Sequence, residues 1–144
     1  MANTGGPLPS RRKILMEASN SILLYGSEIW APALRTQVRA SKLLSVQRTS
    51  ALRVTSAYRT VSAGAVLVIA GMIPIDLQAM ERHKIFIAKQ QSEPQAEYAM
   101  TARLETLETW QQRWQNENKG RWTHKVKPNH KTAVTAANKC NCNN

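Results

Sequence analysis

Asp76 is the only aspartate among the 144 residues, and it stands two positions after Pro74, in what reads as the first turn of a helix. Polymerases and nucleases gather carboxylates around metal ions, and glycosidases use them in pairs. A lone aspartate at a helix start instead complements the positive end of the helix dipole. Glu105 and Glu108, three residues apart beside Arg103 and Gln112, read as a solvated pair. The histidines His83, His124 and His130 have no partner Cys or Ser in a nucleophile motif, and no G-x-S-x-G occurs. A phosphate-cradling G-x-x-x-x-G-K-[ST] loop is absent too. His124, His130, Cys140 and Cys142 are metal-ligand types, but a C-x-C pair behind a nine-residue gap matches no common zinc spacing. The expectation is therefore a chain that is not an enzyme on its own and holds no cofactor or metal.

Cations are the other chemistry available. Lys and Arg number 20 against 9 acids, a formal charge of +11 with an isoelectric point near 10.3. Such a balance favours an anionic partner. No acid lies between Glu28 and Asp76, and that interval carries Arg35, Arg39, Lys42, Arg48, Arg53 and Arg59. Phosphate contacts by such residues release counterions, and the planar fork of Arg suits bidentate contacts. Arg39, Lys42, Arg48, Arg53 and Arg59 are accordingly the candidate nucleic-acid-binding residues. A second patch runs through Lys119, Arg121, Trp122, His124, Lys125 and Lys127. There Arg121, Trp122 and Lys125 are candidates, with Trp122 either stacking on a base or docking the end of the chain. Trp110 and Trp114 fall on one helical stripe and read as core.

These residues need elements to position them. Residues 1–10, with Gly5, Gly6, Pro7 and Pro9, read as a linker. Ser10 is a cap candidate for a helix whose apolar steps run Ile14, Leu15, Ala18, Ile22, Leu23, Gly26, Ile29 and Trp30, ending before Pro32. Arg11, Arg12 and Lys13 sit at the unfavourable end of that helix for its dipole. A second helix is expected from about Leu34 to Ala57, with Leu34, Val38, Leu44, Ala51, Val54 and Tyr58 inward. AVLVIA, Ala65 to Ala70, fits a buried helix or strand; Thr60 or Ser62 as cap, Gly71 as stop and the lack of a pairing strand favour helix. Pro74 opens a fourth helix to about Gln91, with Leu77, Met80, Ile85 and Ala88 as its apolar positions. A fifth runs from Gln95 to Asn118 with Leu104, Leu107, Trp110 and Trp114 as its stripe. The expected fold is all-α, an irregular bundle of about five helices over residues 11–118. Residues 119–144 are expected to form a basic, mostly disordered tail. The longest uncharged stretch, Thr60 to Ile75, has 16 residues broken by Gly64, Gly71 and Pro74, short of the roughly 20 a membrane span needs. The opening MANTGGPLPS lacks a signal-peptide pattern, so an intracellular protein is expected, nuclear if functional.

Several segments together resemble a known family. Ser21-Ile-Leu-Leu-Tyr-Gly-Ser-Glu-Ile-Trp-Ala-Pro-Ala-Leu34 is similar to the SxLLYGxExWAxAL segment that follows the polymerase core in non-LTR, LINE-type retrotransposon proteins. The similarity continues through Val46-Gln-Arg48, Ala51 to Ser62, Ala65 to Leu77 and Glu81-Arg82, then Leu107 to Trp114 and Gly120-Arg-Trp-Thr123. The arthropod clade that inserts into ribosomal RNA genes is the most similar. The resemblance covers residues 5 to about 129 and implies the thumb and post-thumb region of an RNA-directed DNA polymerase, which helps to hold the template–primer duplex. In such a parent an endonuclease and the polymerase palm lie elsewhere, and the rest of the reverse transcriptase would be this segment's partner. The palm's Tyr-x-Asp-Asp motif is absent here, so no catalytic residue carries over. Cys140-Asn-Cys142 does not reproduce the family's Cys/His motif. Two other readings fit the same residues: a stand-alone basic helical interaction module, and the non-functional product of a decayed element.

Overall fold

The computed structural model describes residues 8–91 and 95–129. His130, Cys140 and Cys142, and most of the expected tail, lie outside the described residues. Everything regular among the described residues is helical, so the fold is all-α. Among the described residues seven α-helices stand where about five were expected. They are α1 (Pro9–Leu23), α2 (Ser27–Trp30), α3 (Gln37–Thr55), α4 (Ala63–Ala70), α5 (Ile75–Gln90), α6 (Gln95–Gln115) and α7 (Arg121–Val126), with a 3-10 turn over Ala31–Arg35.

Helix α4 is the centre. Its sequence AGAVLVIA is apolar on every side, so most of it must be enclosed, and Ile69 is left 43% exposed. Ala65, Val66, Leu67 and Val68 are all buried. The Ser62 hydroxyl accepts from the Ala65 N–H at 3.3 Å, and Gly71 closes the helix at φ 70°, satisfying end groups that a buried helix cannot leave to water. The helix reading of AVLVIA holds, with the expected cap and stop.

Two apolar clusters enclose it, and a third packs the 3-10 turn against α5. Met16 of α1 and Ala51 and Leu52 of α3 pack on Val66, Leu67 and Met72. Leu24, Ala31 and Leu34 meet Ile75 and Ala79 of α5. Trp110 and Trp114 of α6, each 2% exposed, close over Ala65, Val68 and Ile73. The expectation that these two indoles are core is met. Burial of side chains this large stabilises the fold by roughly 3 kcal/mol each.

The first helix departs most from its sequence reading. Gly26 at φ 64° breaks it into α1 and α2, because the left-handed conformation there costs glycine little. Ser10 does not cap it: Leu8 is the N-cap residue, without a side-chain bond, and Pro9 takes the first helical position. The inward face is also different. Met16, Asn20 and Leu24 are buried, while Ile14, Leu15, Ile22 and Ile29 of the expected stripe are exposed. Helix α1 has apolar residues on two faces, and the docking to α3 and α4 selects the one with Met16. Val38 and Tyr58, expected inward, are 63% and 58% exposed; Leu104 is exposed on α6 as well. Val38 lies in the first turn of α3 on its outer side, and Tyr58 lies past the helix end, in the α3–α4 loop. Pro74 is the N-cap residue of α5 rather than its first helical residue.

Candidate nucleic-acid interface

Helix α3 is oriented from inside by an amide. Gln47 is fully buried, and its Nε2 donates to the Ile73 carbonyl while its Oε1 accepts from the Ile75 N–H, both at 2.9 Å. These bonds satisfy two backbone groups in the turn between α4 and α5, which would otherwise cost about 1–3 kcal/mol each to bury unpaired. They also fix which side of α3 faces inward. Sequence reasoning passed over Gln47, although its place between Leu44 and Ala51, in steps of three and four, put it on the buried stripe.

The opposite side then faces solvent. Arg39, Lys42, Val46, Thr49 and Arg53 are all exposed and follow one another in steps of three, four, three and four. At 100° per residue they form one stripe, and at 1.5 Å per residue it is about 21 Å long. The structure therefore brings Arg39, Lys42 and Arg53 onto one face. Among the described residues, none of these three makes an ion pair.

Arg48 is separated from them. It lies about 120–140° around the helix from Lys42 and Arg53. Its guanidinium donates to the carbonyl of Arg59 and, at 2.7 Å, to that of Val61. Arg48 thus ties the α3–α4 loop to the helix. The side chain of Arg59, in that loop, is exposed, as is Arg35 in the 3-10 turn. Arg12 performs a similar service at the end of α3. It donates to the Arg53 carbonyl at 3.1 Å and to the Ser56 hydroxyl, where Ser56 adopts a left-handed φ of 53°. The basic start of α1 has a structural use in this bond.

The second patch sits on α7, which sequence reasoning placed in an irregular tail. Gly120 precedes it at φ 82°, and a Cβ there would approach Ser62 Oγ to 2.8 Å and Ala65 Cβ to 3.0 Å. Only glycine lets α7 lie this close to the start of α4. The Trp114 indole N–H donates to the Lys127 carbonyl at 3.0 Å, Gln111 donates to the Pro128 carbonyl at 2.8 Å, and the His124 ring lies 5.5 Å from the Trp114 ring. These contacts dock the segment. Trp122 takes no part in docking: it is 76% exposed, beside exposed Arg121 and Lys125. Of its two sequence readings, the docking role passes to His124. Arg48, Thr60, Ser62, Lys119 and Thr123 share the lining of one open cleft with Glu117, so the α7 patch adjoins the Arg48 side of α3 rather than its outer stripe.

Acids are concentrated elsewhere. Lys84–Glu105 at 2.7 Å, Arg103–Glu81 at 3.2 Å and a two-bond Arg113–Asp76 fork at 3.1 and 2.8 Å join α5 to α6. Asp76, read as a dipole partner at a helix start, is in the first turn of α5 and has this second role. Among the described residues no group of three His, Cys, Asp or Glu side chains is placed to hold a metal ion. No single described helix is long and apolar enough to cross a membrane. No family model, no curated protein and no solved structure matches the chain.

Proposed function

We propose that this chain is a non-catalytic, nucleic-acid-binding piece of a LINE-type reverse transcriptase, a thumb-like unit that lays the outer face of α3 along a template–primer duplex. The observation that carries this reading is the outward stripe of Arg39, Lys42 and Arg53, unpaired on a helix that has no acid. The resemblance from Ser21 onward supplies the family. Arg59 adds a further cation, Arg48 supports the surface by holding the loop that carries Arg59, and Arg121, Trp122 and Lys125 offer a separate second contact on the Arg48 side of α3. Binding of this type is sequence-nonspecific and falls steeply with salt, because it rests on phosphate contacts.

Fluorescence anisotropy with a short RNA–DNA duplex, titrated at several salt concentrations, tests the reading. Replacing Arg39, Lys42 and Arg53 together by Gln should weaken binding on the order of 100-fold at low salt. The slope of log K against log salt should flatten by about 3, near one unit per lost contact. An unchanged slope would remove the outer face of α3 from the interface. Tighter binding to phosphatidylserine vesicles than to the duplex would favour the stand-alone interaction module over the polymerase fragment.

A further inference from the structure

Helix α7 has two sides of different character. Thr123 and His124 are half-buried on the side that meets the body of the fold, where His124 lies against Trp114. The other side is exposed and holds Arg121, Trp122, Lys125 and Val126. At 100° per residue Arg121 and Lys125, four apart, form one row, and Trp122 and Val126 form a second row beside it. Among the described residues Arg121 and Lys125 make no ion pair. No acid follows Glu117 in the sequence, so nothing in this segment of the chain offsets Lys119, Arg121, Lys125 and Lys127.

The cations alone would suit any polyanion, and the exposed indole narrows the choice. In a duplex each base is covered by its neighbours in the stack, whereas an unpaired base can lay its face on an aromatic side chain. The place of the patch leads to the same ligand. It adjoins the Arg48 side of α3, about 120–140° around that helix from the outer stripe. A duplex is stiff over such a distance, and a single strand is what can turn from one side to the other. The α3–α4 loop lies on the way. Arg59 is exposed there, and the next residue, Thr60, lines the open cleft of about 770 Å³ together with Ser62, Lys119 and Thr123. Three hydroxyls and an ammonium group suit base edges and phosphates, and Glu117 is the only acid in that lining. A bilayer is the poorer match, because one Trp and one Val on a six-residue helix make too small an apolar face to enter it.

We propose that the exposed side of α7 binds unpaired nucleotides, with Trp122 stacked on a base and Arg121 and Lys125 on the flanking phosphates. The chain then holds the single strand that continues from a duplex as well as the duplex itself. That nucleic acid is the polyanion rests on the reading of α3 above, but the contacts at α7 involve no residue of the α3 stripe, and the two are separately measurable.

Fluorescence anisotropy with a labelled oligouridylate of about 12 nucleotides, run beside the blunt RNA–DNA duplex, tests it. Trp122→Ala should weaken oligouridylate binding on the order of 10-fold, and at least about threefold more than it weakens duplex binding. Trp122→Phe keeps an aromatic face and should recover most of the lost affinity. Arg121→Gln combined with Lys125→Gln should flatten the salt slope for the oligonucleotide by about 1.4, at about 0.7 per phosphate contact on a single strand. All three side chains are exposed, so circular dichroism should show helix content unchanged. No binding of oligouridylate, equal weakening of both ligands by Trp122→Ala, Phe no better than Ala, or tighter binding to phosphatidylserine vesicles than to oligouridylate would each overturn the α7 site. If Trp122→Ala weakens the single strand while the joint replacement of Arg39, Lys42 and Arg53 leaves the duplex unaffected, α7 stands and the α3 interface falls. The reverse pattern removes α7 alone.

Discussion

Helix α3 carries Arg39, Lys42, Arg48 and Arg53 and no acid, whereas α5 and α6 together carry five acids and five bases. In the α5–α6 pair the opposite charges meet across the helices, three pairs deep, over a wall formed by Trp110 and Trp114. In α3 only Arg48 is committed to the fold, and it binds carbonyls rather than carboxylates. The two regions use similar residues to different ends. Charge in α5–α6 sets how two helices lie against each other. Charge on the outer face of α3 is left for something outside the chain.

Mutations that break this contrast should do so in a definite order. Trp114→Ala should have the largest effect: it removes a buried indole and the bond to Lys127, and should cost about 3–5 kcal/mol in a denaturant titration. Asp76→Asn has a smaller effect. It breaks the fork with Arg113 and weakens the helix start of α5, and because Arg113 is 42% exposed the loss should be about 1 kcal/mol, a few degrees in Tm. The smallest effect on stability belongs to Arg53→Gln, within about 0.5 kcal/mol, although duplex affinity should fall several-fold. Arg48→Gln should show the reverse emphasis, because it frees the α3–α4 loop: a stability loss of about 1–2 kcal/mol, with affinity falling less than for Arg53→Gln. Equal affinity losses for the two arginines would erase the distinction between them.

What the sequence disclosed, and what it hid, follows physical lines. Helix α4 was legible from Ser62, Gly71 and an apolar run, because its ends and its burial are local matters. Trp110 and Trp114 were legible as core by size and spacing. Helix α1 was not, because it has two apolar faces and periodicity alone does not say which one meets α3. The division of the basic residues was hidden as well. Arg48 and Arg53 are equivalent in composition, and only the path of the α3–α4 loop puts two carbonyls within reach of one of them. Helix α7 was missed because its docking depends on Gly120 lying against Ser62 and on the indole of Trp114, contacts between segments distant in the chain.

The bond from Arg12 to the end of α3 joins residues 41 positions apart. Closing a loop of that length costs more chain entropy than completing a helical turn does. The last turn of α3, which carries Arg53, is therefore tied to the far start of the chain as well as closed by its own backbone bonds to Leu52.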